Sequence, residues 1–446
     1  GPGGGTRGVR AGQPWGSGKE LPPAVHAALA GGRRAGAAAA RAPFPPKGGS
    51  AGPLAAAGSG GAASEAPGDA LTSYHMQPVG DGALYVRRSR PRVLMLHTGG
   101  TLGMNPEESF EAEADGSVHI KDGTGGVYAP GLQGGTVLQD LLEQVPELAA
   151  FAELDVQVVF NRDSCRVGPE DWISLAKTLD SNRDEYDAFV IVHGTDTLSY
   201  TAAALSLMLA GFRKPIVLTG SQLPLALPRS DARQNLVDSI SCATVGVSIC
   251  PSTGLPLQLQ EVAVCFGGRL MRGNRTRKVH TSSYTAFESP NYRHLAELGV
   301  DLEWSSSALL RPTDILYQPR FRLNPNVLRV PIVPGLDPYM AYGDLYARGI
   351  RGVVLEAFGV GNMPDEEELG WLPWLMEQRR KGLLVYLTSQ CLAGTLHPEL
   401  YRSGSVALDM GVENGRYMTP ECAVVKMMLC LEYPVIPLNQ PIAGEL

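Results

Sequence analysis

Three short segments, far apart in the chain, each end an apolar run with threonine and glycine. They are VLMLHTGGT at 93–101, VIVHGTDT at 190–197 and IVLTGSQ at 216–222. Each run has the length of a β-strand and precedes an amphipathic stretch, which predicts a strand followed by a helix. Because the carboxyl ends of parallel strands gather at one edge of an α/β sheet, we expect these hydroxyls to meet at one crevice. The pattern predicts nucleophilic catalysis by threonine.

Strand and helix patterns alternate through most of the chain. Strand-like runs occur at 92–96, 156–160, 188–193, 215–219, 244–248 and 262–266, and again at 328–333, 352–356 and 383–387. This alternation predicts an α/β fold with a larger N-terminal parallel-sheet domain and a smaller C-terminal α/β domain. A polar stretch interrupts the rhythm, so we predict an N-terminal domain at 89–280, a linker at 281–326 and a C-terminal domain at 327–446.

The first 88 residues differ in composition from the rest. They are rich in Gly, Ala and Pro and lack hydrophobic periodicity, so they cannot bury enough apolar surface to offset the entropy of ordering. Up to residue 64 their only acidic residue is Glu20, against Arg7, Arg10, Lys19, Arg33, Arg34, Arg41 and Lys47. We expect a disordered leader at 1–88, either a transit peptide for a chloroplast or mitochondrion or a plain tail of a cytoplasmic protein.

Charge and cysteine content narrow the classes of partner. A formal net charge of -7 leaves no basic footprint for nucleic acid, so a small-molecule substrate is expected. No apolar run approaches the roughly 18 residues that indicate a membrane span. The seven cysteines are odd in number and lack CxxC pairing, which predicts reduced core cysteines and no zinc site.

Two of the strand ends carry candidate catalytic groups. In TGGT at 98–101, two glycines allow an unusual turn and close approach of a ligand; the alternative is a plain turn whose hydroxyls bond local amides. In HGTDT at 193–197, Asp196 is a candidate to hold a substrate ammonium or to orient a hydroxyl. The alternative is that Asp196 or Thr197 only caps the next helix. Both roles are compatible with Thr195 facing the crevice.

A strongly basic run follows the strand at 262–266. Residues 269–278 (RLMRGNRTRK) contain five cations, which by default form a solvated face or a phosphate patch. A lysine held near Thr195 and Asp196 would instead lower the proton affinity of the hydroxyl, or act as a base when desolvated. Spacing alone does not choose among the five.

The order of the motifs resembles that of one enzyme family. TGGT, HGTDT, LTGSQLP, RSDARQN, RGNRTRK, SPN at 289–291 and TSQCLAG occur together, and the likeness runs from about Arg92 to Leu446. The chain is similar to L-asparaginases of the bacterial type I (cytoplasmic-type) class, which includes the asparaginase domains of animal proteins. The resemblance implies an asparaginase-like fold and hydrolysis of L-asparagine to L-aspartate and ammonia, without metal or organic cofactor.

The resemblance also assigns catalytic roles. The family nucleophile maps to Thr101, which would attack the side-chain amide and form a covalent acyl-enzyme. Thr195, Asp196 and Lys278 map to the proton relay that activates the hydrolytic water. Backbone amides at the glycine-rich strand ends would stabilise the oxyanion. The third strand end, at 219–222, would form a wall of the site.

Substrate binding and the lid are implied in the same way. Asp163 and Ser164 match the family's grip on the α-amino and α-carboxylate groups, together with Thr195 and Asp196; as bare sequence they read as a structural loop. Tyr128 matches the tyrosine of a mobile lid. The segment 105–126 before it is longer than the family pattern, which predicts either altered lid closure or a neutral surface insertion. A second departure is FGGR at 266–269, where relatives carry asparagine-like residues.

Assembly, regulation and alternative functions rest on the resemblance as well. Family members form dimers or dimers of dimers with the crevice near a subunit interface, so a homodimer or homotetramer is expected. An allosteric asparagine site would include Cys391; the alternative is a core thiol. Two other functions stay open. One is the glutaminase-like subunit of a tRNA-dependent amidotransferase, which has a folded N-terminal extension; the other is a non-catalytic asparagine sensor, which need not preserve the nucleophile.

Overall fold

Two open sheets with covering helices, together with three two-stranded pairs, make up the described part of the chain. The computed structural model of the protein describes residues 90–103, 110–112, 118–120, 140–244, 248–249, 256–257, 259–311, 316–366 and 370–446. The predicted leader at 1–88 and the predicted lid residue Tyr128 lie outside these ranges. No helix within them is long and apolar enough to cross a membrane.

The elements are numbered in chain order. The strands are β1 Arg92–His97, β2 Phe110–Ala112, β3 Val118–Ile120, β4 Glu153–Val158, β5 Ala188–Val192, β6 Ile216–Thr219, β7 Ser248–Ile249, β8 Pro256–Leu257, β9 Val262–Phe266, β10 Arg269–Arg272, β11 Arg277–Lys278, β12 Phe287–Glu288, β13 Ala296–Leu298, β14 Leu302–Trp304, β15 Val327–Pro331, β16 Gly352–Ala357, β17 Leu384–Ser389 and β18 Glu413–Asn414. The α-helices are α1 Leu148–Phe151, α2 Pro169–Ser181, α3 Leu198–Met208, α4 Ala232–Thr244, α5 Pro338–Ala341, α6 Trp371–Arg380, α7 Arg402–Asp409 and α8 Pro420–Glu432. A further helical segment covers 140–144.

The larger sheet has the strand order β14-β13-β10-β9-β6-β5-β1-β4. The five strands from β9 to β4 run parallel. Antiparallel pairing adds β10, β13 and β14 at one side. The predicted parallel N-terminal sheet is therefore present with an antiparallel extension. Strands β13 and β14 fall within 281–326, so part of the range predicted as a linker belongs to this sheet.

The chain leaves the neighbouring strands β1 and β5 in opposite directions. From β1 it passes to β4 at one side, and from β5 it passes to β6 at the other. Such a divergence opens a crevice at the carboxyl ends of the two strands, where ligands bind in open α/β sheets. The segments that follow β1 and β5 are TGGT and HGTDT. The topology thus brings the first two motifs to one place.

The central strands supply two separate cores, because successive side chains point to opposite faces of a sheet. Leu94 and Phe189 pack with residues of α2, α3 and α8. Val93 and Val190, one position away, pack with α1 and α4 on the other face. Helix α3 is buried at every position except Tyr200, since it contacts both the sheet and α8. The helix that begins at HGTDT is therefore fixed on two sides.

The smaller sheet is parallel throughout, in the order β15-β16-β17-β18. Helix α6 buries Trp371 and Trp374 against one face, and α8 packs on the other. Helix α8 begins as the sequence predicts, with Pro420 in its first turn and the Thr419 hydroxyl accepting a hydrogen bond from the Cys422 amide at 3.2 Å. Helix α8 joins the cores of the two sheets.

The predicted strand at 244–248 begins too early: Thr244 ends helix α4, Ser248 lies in β7, and 245–247 lie outside the described residues. Helix α4 continues to Thr244, because Leu236, Ile240 and Ala243 form a buried stripe at helical spacing. Ser248 pairs with Leu257 in the short antiparallel pair of β7 and β8. Thr244 has the β-branched side chain typical of a strand, and helix packing outweighs that preference at the end of α4.

Candidate active site

The turn after β1 lies directly against the turn after β5. The Thr98 amide and hydroxyl both donate to the Val192 carbonyl, at 3.1 and 2.9 Å, so this buried side chain holds the two strand ends together. Gly99 and Gly100 have φ values of 101° and 90°, which favour glycine. Thr101 then opens a 3₁₀ helix and is half-buried. TGGT is therefore a left-handed turn that leads into the half-buried Thr101, next to the start of HGTDT.

The two glycines are also required by close backbone approach. A Cβ at Gly99 would lie 2.3 Å from the Arg162 carbonyl oxygen, and a Cβ at Gly100 would lie 2.5 Å from the Gly194 nitrogen. The turn is thus wedged between the segment after β4 and the segment after β5. A side chain at either position would push Thr101 away from HGTDT.

Lys278 bridges the two functional side chains of HGTDT. Its ammonium nitrogen lies 2.8 Å from Thr195 Oγ1 and 2.7 Å from Asp196 Oδ1. The Lys278 side chain is 19% exposed and that of Asp196 is 62% exposed, so the ion pair is open to solvent on the Asp196 side. An ammonium has three donors and no acceptor, so it donates to both oxygens. The Thr195 hydroxyl therefore keeps its own proton available for another acceptor.

Side-chain capping of helix α3 is not the role of HGTDT. The N-cap residue Thr197 makes no side-chain cap bond; its hydroxyl donates to the Ser164 carbonyl at 2.7 Å. The Asp196 carboxylate bonds Lys278, while its amide donates to Ser164 Oγ at 3.3 Å. The carboxylate is thus directed to the crevice rather than to the start of the helix.

Asp163 and Ser164 reach the same place from the end of β4. Asp163 caps a 3₁₀ helix by accepting from the Cys165 amide at 3.0 Å. Ser164 is buried, and its Oγ would lie 2.6 Å from a Cβ at Gly194. The structure therefore brings 163–164, TGGT and HGTDT together, although about 30 or more positions separate each from the next in sequence.

The third strand end, at 219–222, forms a wall beside Thr195. Thr219 is fully buried, and its hydroxyl donates to the Cys265 carbonyl at 2.9 Å. A Cβ at Gly220 would lie 2.3 Å from the His193 carbonyl oxygen and 3.8 Å from Thr195 Cγ2. Gln222 extends beyond the strand and donates to the carbonyls of Thr281 and Ser283 at 3.2 and 3.0 Å. It ties this wall to the loop that follows Lys278.

Most of the basic run is neither a solvated face nor a phosphate patch. Arg272 is buried and pairs with Glu261 at 2.5 Å. The Asn274 amide and the Arg275 guanidinium donate to the Ala443 and Gly444 carbonyls at 2.8 and 2.9 Å. These side chains bind the C-terminal tail within the protein. Lys278 is the member of the run that contacts Thr195 and Asp196, because β11 extends past the buried part and pairs with β12.

The FGGR departure forms the hairpin turn between β9 and β10. Gly267 and Gly268 have φ values of 58° and 77°, the two positive values that a tight two-residue hairpin needs. The Gly267 amide donates to Asn235 Oδ1 at 3.0 Å. The two glycines thus fix the strand that leads into the basic run.

The expectation that the cysteines are core residues is wrong for two of them. Cys165 and Cys391 are exposed, whereas the other four described cysteines, Cys242, Cys265, Cys422 and Cys430, are buried. All six are free thiols. Cys391 lines a small surface cavity together with Arg277, Asn291 and Arg416. The core-thiol interpretation of Cys391 is therefore excluded.

The sequence motifs do not indicate a role for His193, although it opens HGTDT. It is buried, and burial lowers the pKa of its imidazole to about 4. Its Nδ1 lies 2.7 Å from the Gly194 carbonyl oxygen and its Nε2 lies 3.0 Å from Thr201 Oγ1. The signal that would have found it is a polar residue at the buried end of an otherwise apolar strand. Over the described residues, no group of His, Cys, Asp and Glu is arranged to hold a metal ion.

Comparison with known proteins agrees with this arrangement. The family model described as Asparaginase, N-terminal matches residues 92–310, and that described as Glutaminase/Asparaginase C-terminal domain matches residues 326–435. L-asparaginase 1 of Escherichia coli (strain K12) is 31% identical over 363 residues, covering 79% of this chain and 97% of that protein. The structure of L-asparaginase I from Vibrio cholerae has a TM-score of 0.66 at 31% identity, covering 80% of this chain and 99% of that one.

Other relatives are longer or carry a different name. The L-asparaginase of Dirofilaria immitis is 34% identical over 349 residues, which cover 76% of this chain but only 56% of that protein. The chain thus spans little more than half of this relative. A subunit of the glutamyl-tRNA(Gln) amidotransferase of Pyrococcus horikoshii is 32% identical over 349 residues, covering 74% of this chain and 76% of that protein.

Fold, crevice and relatives together define an α/β enzyme of the amidohydrolase class. The chain belongs to the asparaginase family.

Proposed function

We propose that this chain hydrolyses L-asparagine to L-aspartate and ammonia, with Thr101 as the nucleophile. The observation that supports this most strongly is the contact of Lys278 with both Thr195 and Asp196, at 2.8 and 2.7 Å, beside the turn that presents Thr101. Acyl transfer needs a nucleophile, a route for its proton and a group that binds the substrate's charge. We assign the first role to Thr101, the second to Thr195 with Lys278, and the third to Asp196.

The hydroxyl oxygen of Thr101 attacks the carbonyl carbon of the substrate's side-chain amide. The proton of that hydroxyl passes to the leaving nitrogen, which departs as ammonia and leaves an ester on Thr101. Water then attacks the ester, releases aspartate and returns the proton to Thr101. Thr195 is the proton carrier beside the second attack, because Lys278 donates to its oxygen and leaves its proton free to move.

The substrate's charged end is assigned to the carboxylates at the crevice. Asp196 and Asp163 present negative charge for the α-ammonium group, while Ser164 and nearby backbone amides face the α-carboxylate. Charge-assisted hydrogen bonds of this kind are stronger than neutral ones, so they fix the position of a small zwitterion. A side chain of asparagine length then places its amide at Thr101, which favours asparagine over glutamine.

The test is ammonia release from L-asparagine and from L-glutamine, measured across concentration with the purified chain. We expect turnover of both, with a higher kcat/KM for asparagine. Ammonia released from neither amide, together with asparagine binding detected by calorimetry, would replace the proposal with the sensor function. The lid role of Tyr128 and assembly as a homodimer or homotetramer belong to this proposal and rest on the family likeness alone.

A second candidate is the glutaminase-like subunit of a tRNA-dependent amidotransferase. The likeness to the Pyrococcus horikoshii protein supports it, at an identity close to that of the asparaginase relatives. This function requires preference for glutamine and dependence on a partner. A kcat/KM that is higher for glutamine than for asparagine would favour it over asparaginase activity.

A further inference from the structure

A chain of buried hydrogen bonds connects helix α2 to the HGTDT turn. The indole nitrogen of Trp172 lies 3.0 Å from Thr201 Oγ1, and Thr201 Oγ1 lies 3.0 Å from His193 Nε2. The other imidazole nitrogen, Nδ1, lies 2.7 Å from the carbonyl oxygen of Gly194. The three side chains are nearly inaccessible, at 4%, 0% and 1% exposure for Trp172, Thr201 and His193. Water therefore does not compete for these bonds.

The chemistry of these groups determines which atom donates and which accepts in each hydrogen bond of the series. A carbonyl oxygen only accepts, so His193 Nδ1 carries a proton and donates it to Gly194. An indole nitrogen only donates, so Trp172 gives its proton to Thr201 Oγ1. Thr201 must then donate its hydroxyl proton to the unprotonated Nε2 of His193. Burial lowers the pKa of His193 to about 4, which keeps the imidazole neutral and the chain intact at neutral pH.

The accepting carbonyl belongs to the peptide that precedes Thr195. A trans peptide is planar, with its carbonyl and its N–H pointing in opposite directions. Holding the Gly194 oxygen against the imidazole therefore fixes the plane of the Gly194–Thr195 peptide and turns the Thr195 amide away from His193. Gly100 confines the preceding His193–Gly194 peptide and the Cα that the two peptides share, since a Cβ at Gly100 would lie 2.5 Å from the Gly194 nitrogen and 2.6 Å from Gly194 Cα.

We propose that Trp172, Thr201 and His193 are positioning residues, which hold the Gly194–Thr195 peptide so that Thr195 keeps its contact with Lys278. None of the three touches the substrate. The inference rests on the amide hydrolysis proposed above and deepens it. A misplacement of a catalytic group by about 1 Å can lower the reaction rate by a factor of 100. Loss of these hydrogen bonds should therefore lower kcat more than it weakens substrate binding.

The test replaces Thr201, which links Trp172 to His193 in this series of hydrogen bonds. Thr201→Val keeps the shape but removes the hydroxyl, and Thr201→Ser keeps the hydroxyl. We expect Thr201→Val to lower kcat for asparagine by about 10- to 100-fold with a smaller change in KM, and Thr201→Ser to stay within about threefold of wild type. Ser206→Ala is the matched control, because it removes another buried hydroxyl of α3, one that bonds the Ala202 carbonyl at 2.7 Å. It should leave kcat unchanged.

A spectroscopic measurement keeps the inference testable if Thr201→Val fails to fold or if asparagine is not the substrate. Nitrogen NMR of the histidine-labelled wild type should show His193 as the neutral tautomer protonated at Nδ1, and Trp172→Phe should shift the Nε2 signal. A proton on Nε2 would overturn the proposal. Equal loss of kcat in Thr201→Val and Thr201→Ser, or wild-type kcat in a folded Thr201→Val, would overturn it as well. Absence of ammonia release from wild type would contradict the proposed substrate without affecting the tautomer.

Discussion

Lys278 Nζ lies 2.8 Å from Thr195 Oγ1, although 83 positions separate the two residues in the chain. The strand pair β11–β12 sets the backbone of Lys278, and the end of β5 sets that of Thr195. The contact therefore depends on the tertiary fold and on no local motif. It joins two separate sequence patterns at one place, to which we assign the proposed proton transfer.

Removal of the Lys278 ammonium should stop turnover without unfolding the protein. Lys278→Met keeps the apolar stem of the side chain but leaves Thr195 and Asp196 without their shared donor. We expect kcat for asparagine to fall by about 100-fold to 10,000-fold, the usual range for loss of proton-transfer catalysis. Steady-state ammonia release measures it. Lys177→Met, at an exposed position of α2, is the matched control, and an equal effect of both changes would contradict the assignment.

A side chain at Gly100 should destabilise the TGGT turn and inactivate the site. Gly100→Ala requires a left-handed backbone at φ 90° and a Cβ 2.5 Å from the Gly194 nitrogen. Gly335→Ala is the control, since its φ is 77° and a Cβ there meets nothing within 4 Å. Backbone strain alone costs about 1–2 kcal/mol. Urea unfolding should show a clearly larger decrease in the free energy of unfolding for Gly100→Ala than for Gly335→Ala. Similar decreases in the two variants would mean that the close approach to Gly194 does not constrain residue 100.

The neutral state of His193 predicts a pH dependence of stability. The pKa is about 4 in the folded protein against an ordinary value of 6.5, so unfolding is accompanied by proton uptake between these values. The stabilisation is present above pH 6.5 and is lost as the pH falls toward 4. Its size is about 3 kcal/mol for a shift of this extent.

Unfolding free energies of wild type and His193→Asn, measured at pH 7 and pH 4.5, isolate this contribution. Burial also lowers the pKa of His97, which acts with the same sign but is present in both proteins. Wild type should lose more stability on acidification than His193→Asn. Parallel losses in the two proteins would show that His193 does not titrate in this range.

The sequence contained enough information for the α/β class, most strand positions and the meeting of TGGT with HGTDT. Apolar runs of strand length that end in Gly and Thr indicate where strands end. Parallel topology then brings those ends to the same edge of the sheet. The strand predicted at 244–248 starts too early, because a buried stripe at helical spacing keeps Thr244 in α4 despite its β-branched side chain. Local patterns cannot rank such alternatives when tertiary packing decides.

The basic run shows a different limit of sequence reasoning. Its charges predict a solvated surface, yet Arg272 and Arg275 are buried, where Arg272 pairs with Glu261 and both donate to carbonyls of the C-terminal tail. Their hydrogen-bond partners lie up to 172 positions away in the chain, so the spacing of residues within the run does not predict them. Sequence spacing likewise does not predict the hydrogen bonds that connect Trp172, Thr201 and His193, because these residues lie in three separate elements.

The most direct test of the account is ammonia release by Thr101→Ala at saturating L-asparagine. The variant removes the proposed nucleophile and leaves the Lys278 contact with Thr195 and Asp196 in place. Thr178→Ala, a change at a half-buried threonine of α2 whose hydroxyl donates to the Ser174 carbonyl at 3.0 Å, controls for the substitution itself. We predict that Thr101→Ala unfolds at the same urea concentration as wild type and loses at least about a thousandfold in kcat. A folded Thr101→Ala that releases ammonia within about tenfold of the wild-type rate would contradict threonine catalysis at this site.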